Sequence, residues 1–138
     1  MNYASWVRRV GASLVDGAAV SVPVIAGASV QGATMQGASP SGAGAVAYWI
    51  GLLISLGLWV FNRLIRQGGT GQSWGKSVLG LRLVGEETGR PVGAGMAFVR
   101  ELAHVIDQVL CMVGYLFPLW DTRRQTIADK LLKTVVVR

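Results

Sequence analysis

Hydrophobic and polar positions divide the chain into two long apolar runs and a mixed second half. The first run, residues 10–28, carries one charge, Asp16, and no other charged residue appears until Arg63, so residues 17–62 are charge-free over 46 positions. A membrane-spanning helix needs about 20 mostly apolar residues to cross a hydrocarbon core of about 30 Å. The pattern therefore predicts a first span at about 5–28 and a second at about 42–64, whose apolar stretch 43–61 holds 19 residues without a charge. Between them, residues 29–41 are rich in Gly, Ser and Ala and read as a short, flexible external loop. Tyr48, Trp49 and Trp59 sit where interfacial aromatic belts belong. Pro23 lies inside the first span, a position membrane helices tolerate.

The second half alternates faster. Residues 65–93 form a polar segment with a turn cluster at 68–71, a short helix or turn, a strand at about 80–84 and a tight turn at 86–89. Residues 94–120 are apolar but carry Arg100, Glu101, His104, Asp107 and Gln108. Arg100, His104 and Asp107 fall at i, i+4 and i+7, one polar stripe on a helix. This segment reads as a tilted span, or as an amphipathic interfacial helix followed by a re-entrant piece. Residues 133–138 are strand-like and complementary to 79–84. The expected fold is an all-α membrane protein: two full transmembrane helices, a third amphipathic, re-entrant or tilted helical segment, and a small cytoplasmic β element, in one domain over 1–138.

Charge orients this arrangement. Arg8 and Arg9 precede the first span; residues 62–93 hold five basic and two acidic residues, residues 121–138 five and two, and residues 29–41 none. The positive-inside rule then places the N-terminus, the 65–93 segment and the 121–138 tail together in the cytoplasm, which two full spans satisfy and three do not. Composition agrees with a small integral membrane protein lacking a separate soluble domain: 51% of the 138 residues are hydrophobic and 14% charged, and the mean hydropathy is +0.46. The net charge of +6 sits beside the apolar runs, which points to anionic lipid and away from nucleic acid. The lone Cys111 excludes an intrachain disulfide and a Cys-rich metal site. Arg8, Arg9 and the following apolar run imitate a signal peptide, but Asp16 in its middle argues for an uncleaved span.

Asp16 is the leading candidate for chemistry, since a carboxylate at the centre of a membrane helix costs about 2.5–3.5 kcal/mol on insertion scales. Arg9 shares its helical face but lies two turns, about 10 Å, away. Within one straight helix the two do not touch, so each faces another helix or water. The stretch GGTGQSWGKS imitates a phosphate loop, yet the first Gly that such a loop requires falls on Thr70; a cytoplasmic turn with a basic membrane contact is the better reading. His104 with Glu101, Asp107 and Gln108 lacks the second His or Cys of a transition-metal site and reads as an interfacial polar stripe. No Ser or Cys has a His placed as its base, so neither an enzyme nor a cofactor or metal is expected. The acid–base alternation of the tail reads as a solvated ion-paired surface. The competing expectation is that Asp121 or Asp129 pairs with Arg9 or Arg100.

Four blocks, WVRRVGASLVD at 6–16, GQSWGKSVLGLRLVGEETGRPV at 71–92, FVREL at 98–102 and DTRRQTIADKLLKTVVV at 121–137, together resemble the RDD family of bacterial membrane proteins. The family is named for one Arg and two Asp. By resemblance Arg9 is the Arg, Asp16 the first Asp, and Asp129 or else Asp121 the second. Ala128 stands where relatives often carry His, and Lys133 where they often carry Gly. The resemblance implies a multi-pass protein of the bacterial cytoplasmic membrane. It also implies two function classes, since some members are suggested to act in cation/proton exchange and RDD domains accompany larger membrane transport assemblies. One expectation is a non-enzymatic accessory or scaffold subunit, with Arg9, Asp16, Asp129, Asp121 and Arg100 as a polar network. The other is an exchanger working as a homo-oligomer, with Asp16, His104 and Asp107 along the ion path. The partners expected are a bilayer with anionic lipids and either a membrane protein or further copies of the chain.

Overall fold

The computed structural model describes residues 2–36, 39, 40, 42–109 and 113–138; Cys111 lies outside them. The chain divides into two compact units, Gly17–Phe61 and Met1–Asp16 with Asn62–Arg138.

The Gly17–Phe61 unit is a helix pair. Helix α1 (Trp6–Ala33) contributes its later turns and α2 (Gly42–Val60) almost all of its length. Small residues let the backbones touch, as membrane helices require where apolar burial gives little drive to associate. A Cβ on Gly27 would stand 2.4 Å from the Ala47 carbonyl oxygen, and one on Gly51 2.3 Å from that of Pro23. The buried Ser55 hydroxyl accepts a hydrogen bond from the Val24 N–H at 3.1 Å. Outward, Val22, Ile25, Val46, Ile50, Leu53 and Ile54 are exposed. The stretch expected to be a loop from residue 29 is helical to Ala33. Nothing in it breaks a helix, and the Ser29 and Thr34 hydroxyls donate back to the carbonyls of Ile25 and Val30 at 2.9 and 3.0 Å. Strands β1 (Met35–Gln36) and β2 (Ser39–Pro40) then pair antiparallel.

Helix α2 runs on past its expected end at residue 64. Phe61–Arg66 wind as a π-helix and lead into α3 (Gln67–Thr70), giving 29 continuous helical residues, Gly42–Thr70. The glycines at 68 and 69 are absorbed into the helix. The turn comes at Gly71, whose φ of +76° is the left-handed conformation glycine adopts freely and whose N–H closes on the Gln67 carbonyl at 2.8 Å. Among the described residues, Trp6–Ala33 and Gly42–Thr70 are the two helices long and apolar enough to cross a membrane.

The rest of the larger unit is built around a small sheet. After α4 (Trp74–Val78), β3 (Arg82–Gly85) pairs antiparallel with β4 (Thr134–Val137), with Leu83 opposite Val136, the pairing the sequence suggested. Tyr3 bridges to Val137, and Ala4 donates to the Val136 carbonyl at 2.9 Å. Leu81, Leu83, Val136, Ala4 and Ala12 make the core. Helix α7 (Ile127–Leu131) packs on β4, α5 (Ala94–Val109) on α7 and α3, and α6 (Val113–Leu116) on α5 and α7, α6 leading into a 3-10 turn at Phe117–Leu119.

Helix α5 is inverted relative to a soluble amphipathic helix. Its polar residues Arg100 and His104 are buried with Ala97, while Phe98, Val99, Leu102, Val105 and Val109 are exposed. With 16 residues it is about 24 Å long, short of a hydrocarbon core of about 30 Å.

Candidate functional site

Asp16 and Asp129 each sit in a nest of donors inside the larger unit. Asp16 projects from α1 toward the start of α4 and is 3% exposed. Its Oδ1 accepts from Asn62 Nδ2 and from the Gly75 N–H, both at 2.8 Å, and its Oδ2 from the Ser73 hydroxyl at 2.6 Å. An ionised carboxylate is acceptor-only, and these three neutral donors serve both oxygens. Asn62 is positioned by the π-turn, and its own Oδ1 accepts from the Trp74 N–H at 2.8 Å. Ser73 caps α4 by accepting from Lys76 N at 3.3 Å. Gly75 admits no side chain, because a Cβ would lie 1.9 Å from the Ala12 carbonyl oxygen.

The second nest is ionic. Asp129 is fully buried on α7. Arg9 Nη1 donates to its Oδ2 at 2.6 Å, Arg100 Nε to its Oδ1 at 2.9 Å, and the Thr134 hydroxyl to Oδ1 at 3.2 Å. Asp129 also closes a capping box. Its N–H donates to Thr126 Oγ1 at 3.1 Å, and its Oδ2 accepts from Thr126 N at 3.3 Å. Burial pushes this carboxyl up, but the guanidiniums of Arg100 and Arg9 outweigh it and hold it well below the usual carboxylate range. Arg100 is itself buried and Arg9 part-buried, and Arg9 Nε, Arg9 Nη2 and Arg100 Nη1 find no hydrogen-bond partner among the described residues; Arg100 Nη1 stands 3.9 Å from Glu101.

A third buried polar group is Lys76, 7% exposed, whose ammonium donates to Gln67 Oε1. Burial lowers its pKa, and Arg100 and Arg63 push the same way, to about 7. This overturns the expected basic membrane contact at the Gly75-Lys76-Ser77 turn. The turn is folded inward because Asp16 draws the N-terminus of α4 against α1.

Of the expected polar residues, the structure brings Arg9, Arg100 and Asp129 together. Asp121 is elsewhere: it accepts from the Arg123 and Gln125 N–H groups at 3.1 and 2.9 Å and pairs with Lys130 at 2.6 Å. The tail is therefore a solvated surface only in part. His104 is buried and stacked on Tyr115, with ring centroids 5.3 Å apart and planes 14° off parallel. The side chain of Asp107 lies outside the described residues. Sequence reasoning missed Asn62, Ser73, Gly75, Gln67 and Lys76 as members of the interior. Asn62, the first polar residue after the apolar stretch 43–61, was the available signal.

Comparison with known proteins places the chain. It is 49% identical over 92 residues to the "Proline-rich antigen" of Mycobacterium leprae, a match covering 67% of this chain and 37% of that protein. It is 51% identical over 94 residues to the "Proline-rich antigen homolog" of two Mycobacterium tuberculosis strains, covering 68% of this chain and 39% of each. The matched region thus spans less than two-fifths of these relatives' length. No solved structure matches the chain. The RDD family pattern matches residues 3–133, nearly the whole sequence and including Arg9, Asp16, Arg100 and Asp129, and the chain belongs to the RDD family.

Proposed function

We propose that this chain is a non-enzymatic scaffold, an accessory subunit that packs against a larger assembly in the bacterial cytoplasmic membrane. Its N-terminus, the 65–93 segment and the 121–138 tail lie on the cytoplasmic side, and α5 lies in the membrane surface with its apolar side toward lipid. One observation carries this reading: both fully engaged acids, Asp16 and Asp129, have their oxygens filled by the protein's own donors. Acids so bound fix α1, α4, α5 and α7 in place and leave little capacity to receive a cation. The exposed apolar faces of α1, α2 and α5 then serve anionic lipid and the helices of a partner. The test is mild-detergent extraction of the natively expressed protein, followed by mass spectrometry and native mass. A recurrent stoichiometric membrane partner supports the scaffold. Recovery only as a homo-oligomer, with pH-gradient-driven flux in vesicles that Asp16→Asn abolishes, overturns it.

That second outcome describes the alternative, cation/proton exchange by a homo-oligomer. The observation favouring it is Lys76, a buried group lowered to about 7 that feels the field of Asp16. Flux that survives Asp16→Asn and stops in Lys76→Met would move the proton step from the acid to the lysine.

A further inference from the structure

A cleft of about 370 Å³ opens where β3 ends, β4 begins and α5 starts. That volume lies within the range of ligand pockets, about 300–1,000 Å³. Its lining combines polar and cationic residues, Thr88, Arg90 and Lys133, with apolar ones, Val92, Met96 and Leu132. We propose that this cleft binds the headgroup phosphate of an anionic phospholipid, with the acyl chains following the apolar side of α5.

The two cations are presented in different ways. Lys133 has φ of +50°, a left-handed conformation that residues other than Gly, Asn and Asp rarely adopt. A long cationic side chain occupies a position where glycine would fit the backbone better. Its ammonium pairs with Glu87 at 3.3 Å, but both side chains are about three-quarters exposed, at 73% and 76%, so the pair is screened and weak. Arg90 is pinned through its backbone, its N–H on Thr88 Oγ1 at 3.3 Å and its carbonyl accepting from Gly85 N–H at 3.0 Å. Its guanidinium, exposed, makes no hydrogen bond or ion pair among the described residues. A planar fork with free donors and an exposed ammonium in one cleft suit a phosphate diester.

The apolar part of the lining selects the lipid over a free phosphate. Met96, 41% exposed, begins the outward side of α5 that continues through Val99 and Leu102. A soluble phosphate would use the cations and leave the apolar lining wet, whereas a phospholipid occupies both.

The experiment uses the full chain purified in mild detergent and titrated with phosphatidylglycerol or phosphatidylcholine, with bound lipid counted by native mass spectrometry. The wild type is expected to hold phosphatidylglycerol at least about tenfold more tightly, with about fivefold lost on removing each cation, in Arg90→Gln and in Lys133→Gly. Lys133→Gly also serves as the folding control. Glycine relieves the backbone at φ +50°, so its thermal midpoint should hold or rise while lipid is lost. Arg82→Gln and Arg138→Gln remove the same charge from exposed positions outside the cleft and should leave binding within about twofold of wild type. Equal loss in all four variants would reduce the effect to bulk attraction and overturn the site. Displacement of the lipid by an equal concentration of glycerol phosphate would make the ligand a soluble phosphate and overturn the lipid.

Discussion

The nests around Asp16 and Asp129 solve one problem in opposite ways. Asp16 is surrounded by an amide, a hydroxyl and a backbone N–H, all neutral. Asp129 is gripped by two guanidiniums. Neutral donors fix a carboxylate without bringing further charge into an apolar helix, and they act at short range, seating α4 on α1. The ionic nest ties α1, α5 and α7 through one atom pair after another. Each of its charges is tolerable only while the others are present. A neutral nest should therefore fail locally and an ionic nest collectively.

The largest effect is expected from Asp129→Ala. It leaves the buried Arg100 and the part-buried Arg9 without their counter-charge, and the expected loss is about 3–5 kcal/mol, read as failure to recover folded protein or a large fall in thermal midpoint in detergent. Gly75→Ala should come next, at about 3 kcal/mol, because the added methyl meets backbone rather than a side chain that can turn aside. Asp16→Asn should cost less, about 1–2 kcal/mol, since it misplaces one hydrogen bond among neutral groups. A result in which Asp16→Asn costs more than Asp129→Ala would end the distinction.

The last effect is a slope. Lys76 is lowered to about 7 in the fold, against an ordinary 10.5. Below pH 7 the ammonium is present in folded and unfolded chains alike, and the cost of burying it is complete. From there to 10.5 the unfolded chain binds more protons, so stability rises with pH. Thermal midpoints taken between about pH 6.5 and about pH 9 should climb in the wild type relative to Lys76→Met, in which this contribution is absent. In Asp16→Asn the window should move lower, because the attraction of Asp16 that raises Lys76 is removed. Asp129 acts with the opposite sign. Its contribution is lost only as pH falls below the ordinary carboxylate value of 3.8 toward its depressed folded one.

Long-range periodicity made the helices legible, and isolation made Asp16 legible, because a charge in an apolar run followed by 46 uncharged residues has to face something. The pairing of Arg9 with the tail was visible as a choice between Asp121 and Asp129. The structure separates them by their local settings: Asp121 caps a turn, while Asp129 lies three residues after Thr126 in a capping box. Asn62, Ser73 and Gly75 were hidden for a physical reason. Each contributes one neutral donor, a role any polar residue or backbone group can fill, so no residue type or spacing marks it. Lys76 was misread because a lysine near an apolar segment ordinarily reaches for lipid; its burial depends on a capped four-residue approach to α1 that charge patterns do not encode. The π-turn had no signature either, and it is what sets Asn62 facing Asp16.

The bond between Arg9 and Asp129 joins positions 120 residues apart. A ribosome adding 5–20 residues per second takes roughly 6–24 s to cover that distance. During that interval the first helix is already made while its arginine lacks the carboxylate that will receive it. Biogenesis of this unit is therefore a waiting problem. The N-terminal turn must keep its guanidinium hydrated or otherwise paired until the α7 segment arrives to close it.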